Sequence, residues 1–342
     1  MRLSPRSRLR CRERSRPRLA PAADVCKLST QGYSVRMQLL AHHTSEAGLL
    51  GIVRGQSFWA TQFFALKDQT EYFYALTCIY EQVVDVMQRE LPKRSIDVLR
   101  EKMDRTTFID NIVMQIRNRF ENVGYDIHYI VSFSKCTSES EKLFGIHCLW
   151  RNYAKESGYC LIFDRDDIDH MLILERMKKT YALLDIVDVV YGVDSNDRNF
   201  LDLCYQTWLR IQAGLAEILP DIEIDRESAN KWSDAEYALR MIRYCSSHKD
   251  PQFAEEQEVR IVAQPLDVNT AQPFTGICTP KEVKERSIGG KKRKYIVLGD
   301  TFVPGVVPKR ILASKKAALG PHILRGLYPL CPALEWCPFD AA

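Results

Sequence analysis

The stretch Leu39–Thr61, LLAHHTSEAGLLGIVRGQSFWAT, decides the expected fold because it reads as strand, helix and strand in quick succession. Apolar residues predict a strand over Met37–Thr44. Ser45 is a typical N-cap, so Glu46–Arg54 is predicted to form a short helix. Phe58–Thr61 is predicted to form a second strand.

Two adjacent histidines end the first of these strands. Alternate side chains of a strand share one face, so His42 is expected to lie with Thr44 and His43 to point the other way, into packing or solvent. This alternation alone does not decide which histidine, if either, takes part in chemistry.

Later segments alternate between helical and extended patterns. Apolar residues three and four apart predict helices at Glu71–Leu91, Ile96–Phe120, Leu143–Ala154, Phe200–Leu219 and Ala229–Ser246. β-Branched and aromatic runs predict strands at Ile127–Ser134, Gly158–Phe163, Leu183–Gly192, and in FAEEQEVRIVAQP, KYIVL and KRILA. Short strands separated by helices of uneven length predict an α+β fold rather than a regular βαβ array.

Length and composition predict one irregular domain, since 46% of the 342 residues are hydrophobic. We place this domain at residues 37–315. Residues 1–30 are rich in Arg and are expected to be a disordered extension, and residues 316–342 are expected to be an irregular tail containing Pro and Cys. Much of the small net charge of +4 comes from the extension, which argues against a dedicated nucleic-acid surface on the domain.

The 11 cysteines include no C-x-x-C pair, and an odd number without a framework is typical of reduced thiols in a cytoplasmic protein. No metal site is predicted, because no cysteine pair has a histidine partner. No apolar run approaches the roughly 18 residues of a transmembrane helix, so no membrane association is expected.

Four motifs occur in order: HHTS at 42–45, LKDQTE at 66–71, SFS at 132–134 with LWRNYA at 149–154, and HKDPQFAEEQEVR at 248–260. Together they resemble the bacterial domain of unknown function 2971 family. The family's usual Tyr after its first His is His43 here, its Asn is Lys67, and its Lys-His pair appears as His248 then Lys249. The resemblance therefore assigns the family's first histidine to His42.

A weaker resemblance, to the ADP-ribosyltransferase superfamily, rests on the order of three pairs along the chain: His42 and Thr44, Ser132 and Ser134, Glu256 and Glu258. In that superfamily a His or Arg, a Ser-x-Ser strand and a late Glu line a site for nicotinamide dinucleotide. The resemblance implies a largely antiparallel sheet with covering helices, NAD as the substrate, and a macromolecular acceptor.

The same resemblance implies a chemical role for two carboxylates. Breaking the bond between nicotinamide and ribose develops an oxocarbenium-like cation, which a nearby carboxylate stabilises. Glu258 is the candidate for that carboxylate. Glu256, expected on the same strand face, would orient or deprotonate the acceptor.

The remaining candidates are expected to bind NAD. His42, which also counts among the catalytic candidates, would hydrogen-bond a ribose hydroxyl, and Thr44 would help to bind the cofactor. Ser132 or Ser134 would hydrogen-bond Glu258 or the ribose, and Arg260 would meet a phosphate. We also expect Glu258→Gln to remove NAD turnover with little effect on thermal stability.

Each motif also has a structural interpretation. E-x-E-x-R occurs on solvated strand faces, Ser-Phe-Ser can be an ordinary strand end, and Glu71 is interpreted as a helix-start carboxylate. Two function classes stay open. One is an NAD-dependent ADP-ribosyltransferase or NAD glycohydrolase in a toxin or phage-defence context, and the other is a non-catalytic nucleotide-sensing or interaction protein on the same fold.

Overall fold

The computed structural model describes most of the domain, and the Arg-rich extension at residues 1–30 lies outside the described residues. The described residues are 38–66, 70–91, 104–121, 128–154, 157–215, 232–266, 278–288, 290–300, 305–319, 332 and 334–336. Residues 37–342 form one compact unit. None of the described helices is long and apolar enough to cross a bilayer.

The opening stretch forms strand β1 (Leu39–Thr44), helix α1 (Glu46–Gly55) and strand β2 (Phe58–Gln62), as predicted. The Ser45 hydroxyl accepts a hydrogen bond from the backbone N–H of Gly48 at 3.4 Å, so the predicted N-cap is present. Gln56 adopts the left-handed conformation just past the helix, with φ of 45°, and turns the chain into β2.

The remaining elements follow in chain order. The helices are α2 (Thr70–Glu90), α3 (Arg105–Glu121), α4 (Glu139–Phe144), α5 (His147–Leu149), α6 (Arg165–Lys178), α7 (Arg198–Leu215) and α8 (Asp234–Ser247). The strands are β3 (Tyr129–Lys135), β4 (Tyr159–Asp164), β5 (Lys179–Asp188), β6 (Val190–Tyr191), β7 (His248–Lys249), β8 (Glu258–Pro265), β9 (Thr279–Pro280), β10 (Lys284–Ile288), β11 (Lys291–Leu298), β12 (Arg310–Ala313) and β13 (Leu334–Trp336).

Eleven of the described strands form one sheet whose main path runs β10-β11-β2-β3-β1-β4-β12-β13. Strand β8 pairs with β3 and β5, and β9 pairs with β5. Within this sheet β12 and β13 run parallel, as do β5 and β9, while the other pairs are antiparallel. The predicted α+β class, with a largely antiparallel mixed sheet and several covering helices, is confirmed.

The two faces of the sheet carry separate cores. Leu40 and Phe133 lie on the face covered by α1 and α6, which we call the α1 face. Ile130 lies on the opposite face, which we call the α2 face, in a core shared with α2, α3, α7 and α8. Ala41 also lies on the α2 face, in a smaller cluster with Trp150.

The sheet divides along one edge of β3. Strand β2 pairs with Tyr129 and Ile130, and β1 pairs with Ser134 and Lys135. Val131–Phe133, between these two short ladders, pair with neither β1 nor β2, although their other edge pairs with β8. Strands β1 and β2 therefore separate beside the middle of β3.

The structure differs from the prediction in the segment before Leu183 and in where the strand predicted at Leu183–Gly192 begins. Helix α6 was not predicted, although Asp164 caps it by accepting from the N–H of Asp166 at 3.1 Å. Its buried residues recur at the helical spacing: Ile168, Met171, Leu172 and Glu175. The strand that follows begins earlier than predicted, at Lys179, because the helix ends one residue before it.

Two other expectations change. The single helix predicted at Leu143–Ala154 is broken by Gly145, whose φ of 75° is left-handed, and continues as α5 and a π-helical turn at Trp150–Ala154. The tail at 316–342 was expected to be irregular, but β13 within it extends the sheet beside β12.

Candidate active site at the divided sheet

A cavity of about 680 Å³ lies where β1 and β2 separate, within the size range of small-molecule sites. Its lining comes from β1, β2, β3 and β8, from the start of α2, and from the 3₁₀ turn Pro251–Glu256. All seven candidate residues from the sequence line it: His42, Thr44, Ser132, Ser134, Glu256, Glu258 and Arg260.

Five charged side chains meet on the α2 face and form what we call the charge cluster: Glu71, Lys249, Glu256, Glu258 and Arg260. Arg260 donates from Nε and Nη2 to the two oxygens of Glu258, at 2.7 and 2.8 Å, and from Nη2 to Glu71. Lys249 Nζ lies 2.5 Å from Glu256, 2.8 Å from Glu71 and 3.2 Å from Glu258. Three carboxylates and two cations leave one formal negative charge when all are ionised.

The charge cluster is shielded from solvent. Lys249 and Arg260 are each 1% exposed, and Glu256 and Glu258 are buried. The interpretation of E-x-E-x-R as a solvated surface is therefore wrong. Buried pairs of this kind are strongly destabilised when one partner is removed, because the other charge stays buried.

Sequence reasoning missed two members of the cluster. Glu71 does lie in the first turn of α2, but its carboxylate contacts Arg260 and Lys249. Lys249 lies in β7, which pairs with β6 and follows directly on α8. Both positions belong to the motifs that carry the family resemblance, and this was the signal that marked them.

The two neighbouring carboxylates differ in acidity. Burial raises the pKa of Glu256 above its ordinary value, and the hydrogen bond to Lys249 offsets this only in part. Burial acts in the same direction on Glu258, but Arg260 and Lys249 outweigh it and lower the pKa of Glu258 to about 2, with help from a Ser132 hydrogen bond. Glu258 is held ionised, and Glu256 is the carboxylate that exchanges a proton more readily.

The structure corrects the expected placement of Glu256. We predicted that it shares a strand face with Glu258, but it ends a 3₁₀ turn and precedes β8. Gln257 between them is left-handed, with φ of 45°, so strand alternation does not apply. Lys249 brings the two carboxylates together by contacting both.

Arg260 is also placed differently from the expectation. Besides Glu258 and Glu71, its Nη1 donates to the carbonyl of Ser246 at 3.1 Å. A guanidinium has five N–H donors, and these contacts occupy most of them. Arg260 therefore holds Glu258 in position rather than meeting a phosphate.

His42 reaches the cavity from the α1 face, where its ring packs 5.4 Å from that of Phe133. Its Nδ1 lies 2.8 Å from the backbone carbonyl of Ser132, in the stretch of β3 that pairs with neither β1 nor β2. A carbonyl only accepts, so Nδ1 carries the proton. Burial lowers the pKa of His42, against the Ser132 bond, so the ring is neutral at neutral pH and Nε2 is an acceptor.

His42 and Glu258 line the same cavity but reach it from opposite faces of the sheet. In the β3–β8 ladder Ser132 pairs with Arg260 and Ser134 with Glu258, so these four side chains lie on the α2 face. His42 pairs with Leu161, which belongs to the core of the α1 face. The cavity is lined from both faces because the sheet is divided there.

His43 points the other way from His42, as strand alternation predicted. Its ring packs edge-on against Trp150, with 5.3 Å between ring centres. Burial, followed by the neighbouring His42, lowers the pKa of His43 to about 3, so its ring is uncharged. This histidine packs against a tryptophan on the α2 face, where the charge cluster also lies.

Thr44 ends β1 against the first turn of α1. A Cβ on Gly48 would lie 2.0 Å from Thr44 Oγ1, so the glycine is what lets the hydroxyl approach the helix.

Ser132 is exposed to the cavity side of the sheet, whereas Ser134 is buried. Among the described residues, no group of three or more His, Cys, Asp or Glu side chains is arranged to hold a metal ion.

The fold and cavity define an α+β protein with a small-molecule-sized site at a divided sheet. The family model described as Protein of unknown function (DUF2971) matches residues 149–261, which confirms the family resemblance inferred from the motifs. The matched segment includes four members of the charge cluster: Lys249, Glu256, Glu258 and Arg260. No curated protein and no solved structure matched the chain.

Proposed function

We propose that this protein cleaves the bond between nicotinamide and ribose in NAD, as an ADP-ribosyltransferase or NAD glycohydrolase of the bacterial cytoplasm, in a toxin or phage-defence context. The observation that carries the proposal is the pair Glu256 and Glu258, two neighbouring carboxylates in one cavity whose pKa values are moved in opposite directions. Paired carboxylates tuned apart in this way are the usual arrangement for divided acid–base and electrostatic roles.

The reaction accounts for both carboxylates. The C1′–N bond breaks with its electron pair leaving on neutral nicotinamide, and the ribose becomes an oxocarbenium-like cation. Glu258, ionised, supplies negative charge beside that cation. In NAD the positive charge lies on the nicotinamide ring and moves to the ribose as the bond breaks, so a carboxylate beside the ribose stabilises the transition state more than the ground state.

Glu256 completes the transfer. A water molecule or an acceptor group attacks C1′, and its proton passes to the Glu256 carboxylate as the new bond forms. Attack by water gives free ADP-ribose, and attack by a macromolecule gives the ADP-ribosylated product. The same residues therefore serve the hydrolase and the transferase.

Residues on both faces of the divided sheet bind the ribose. His42 Nε2 accepts a hydrogen bond from a ribose hydroxyl, because its Nδ1 already donates to Ser132. Thr44 and the hydroxyls of Ser132 and Ser134 line the same cavity and supply further hydrogen bonds. The order of these residues along the chain resembles that of the ADP-ribosyltransferase superfamily, which supports the proposal.

The test is incubation of the full purified chain, alone and with bacterial lysate, with NAD labelled in its adenylate half. We expect release of free nicotinamide, together with label as free ADP-ribose or on protein or nucleic acid. A rate of nicotinamide release equal to the blank under both conditions would overturn the proposal.

A second candidate is a nucleotide-sensing or interaction protein without turnover. One observation favours it, because both oxygens of Glu258 are already bonded to Arg260, and Lys249 also contacts Oε2. A carboxylate neutralised in this way stabilises a cation less strongly. Saturable binding of NAD without nicotinamide release identifies this alternative.

A further inference from the structure

A second arginine lines the cavity, from the part of the sheet that contains β2, β11 and β10 rather than from the part that contains the charge cluster on β8. Arg286 lies on β10, and in the described chain Arg260 and Arg286 are the two cations among the residues that line the cavity. Arg260 is committed to Glu258 and Glu71. Within the described residues, no carboxylate forms an ion pair with Arg286.

Two aromatic rings hold the guanidinium of Arg286 in place. Its Cζ lies 5.0 Å from the ring centre of Trp59 and 5.3 Å from that of Tyr295, within cation–π range. Nη2 donates to Thr61 Oγ1 at 3.3 Å. The side chain is thus fixed before any ligand arrives, which reduces the entropy lost on binding.

The environment of Arg286 is short of negative charge. Arg293 lies directly opposite it in the β10–β11 ladder, and like charges placed opposite one another destabilise a sheet. The Nε of Arg286 is buried and has no hydrogen-bond partner among the described residues. Burial lowers the pKa of Arg286. Tyr295 acts in the opposite direction and Arg293 lowers the pKa further, so the net effect is a lowered pKa. A bound anion would relieve both the repulsion and the lack of an ionic partner.

We propose that Arg286 binds a phosphate group of the nucleotide that occupies the cavity. The guanidinium fork suits phosphate oxygens, and the aromatic stack of Trp59 and Tyr295 sets its orientation. Arg286 thus makes the phosphate contact that the sequence analysis assigned to Arg260. This inference rests on the proposed function, since the phosphate is taken to be that of NAD.

The experiment compares binding of AMP, adenosine and NAD to the full chain and to Arg286→Gln by calorimetry. Loss of the phosphate contact is expected to weaken AMP and NAD binding at least 10-fold while leaving adenosine binding within twofold. Arg286→Lys keeps the charge but not the fork, so it should fall between the two. Unchanged melting temperatures establish that the variants remain folded.

The matched control is Lys292→Gln. It removes one positive charge from the same hairpin, but Lys292 pairs with Ser287 and therefore lies on the opposite face from Arg286. AMP binding should be unaffected by it. Equal weakening by Lys292→Gln and Arg286→Gln, or equal weakening of AMP and adenosine, would overturn the proposal, as would a wild-type chain that binds no AMP.

The two proposals fail separately. A chain that binds AMP through Arg286 but releases no nicotinamide retains the phosphate site and loses the enzymatic proposal. A chain that releases nicotinamide while Arg286→Gln binds AMP and NAD as the wild type does retains the enzymatic proposal and loses the phosphate site.

Discussion

The Nδ1 of His42 lies 2.8 Å from the carbonyl oxygen of Ser132, and this bond spans the point at which β1 and β2 part. The side chain satisfies a backbone acceptor in a stretch of β3 that pairs with neither of those strands. The bond also determines the tautomer of His42, so one ring nitrogen braces the sheet and the other is left as an acceptor for a ligand.

The two roles of His42 are separable by substitution. His42→Asn places an amide N–H near the position of Nδ1 and removes Nε2, so the brace is retained and the acceptor is lost. We expect its free energy of unfolding to stay within about 1 kcal/mol of wild type, the scale of one hydrogen bond, while NAD affinity falls. His42→Phe, which loses both nitrogens, should lose stability as well. Chemical denaturation and calorimetry with NAD measure the two effects.

Glu258→Gln requires a matched comparison, because the buried contacts of Glu258 predict a loss of stability where the sequence predicted little effect. Glu258 is a buried partner of both Arg260 and Lys249, so the variant should lose about 3 to 5 kcal/mol. Glu71→Gln removes a carboxylate from the same two cations and should be destabilised to a similar extent.

Turnover distinguishes these variants. Below both melting temperatures, Glu258→Gln is expected to lose nicotinamide release by a factor of about 100 or more, whereas Glu71→Gln retains it, because only Glu258 is placed to stabilise the cation. Equal losses in the two variants would show that the cluster acts through stability alone.

The activity should depend on pH through Glu256. This carboxylate acts as a base only when ionised, and burial raises its pKa above the ordinary value of 4.5. Turnover should therefore rise as the pH increases through that raised pKa. In Glu256→Gln the rising limb should disappear and the rate should fall by roughly 10²- to 10⁴-fold. Profiles of kcat against pH for the two proteins provide the measurement, and an identical limb in both contradicts the assignment.

Acid unfolding should report on Glu258. Its pKa is lowered from 4.5 to about 2 in the folded chain, so its stabilising contribution is present above pH 4.5 and is lost as the pH falls towards 2. The contribution is roughly 3 kcal/mol on the scale of 1.4 kcal/mol per pKa unit. The free energy of unfolding of Glu258→Gln should depend less steeply on pH over this interval than that of the wild type.

Gly48→Ala tests the close approach of Thr44 to α1. The added Cβ would lie 2.0 Å from Thr44 Oγ1, so the Thr44 side chain must change rotamer or the strand end must shift, and we expect a loss of about 1 kcal/mol. In a Thr44→Ala background the hydroxyl is gone and this loss should largely disappear, since alanine is otherwise the better helix former. Additive effects in the double-mutant cycle would show that the contact does not constrain the helix.

Local patterns in the sequence predicted the strands and helices around β3, but they did not predict which side chains from these elements meet in the cavity. Ser45 and the apolar run after it were sufficient for α1, and alternation correctly separated His42 from His43. The residue-by-residue order did not reveal that Gln257 is left-handed, which removes Glu256 from the strand. Nor did it pair Glu71 with Arg260, because that contact joins positions 189 residues apart and depends on how α2 packs against β8.

That separation also bears on how the chain is made. At about 5 to 20 residues per second, Glu71 leaves the ribosome roughly 10 to 40 s before the arginine that neutralises it. During that interval α2 carries a carboxylate whose cationic partners have not been synthesised. The cavity wall is completed only once the chain has passed Arg286, the last of the described residues that line it, so any activity of this site is withheld from the nascent chain until most of the domain has been translated.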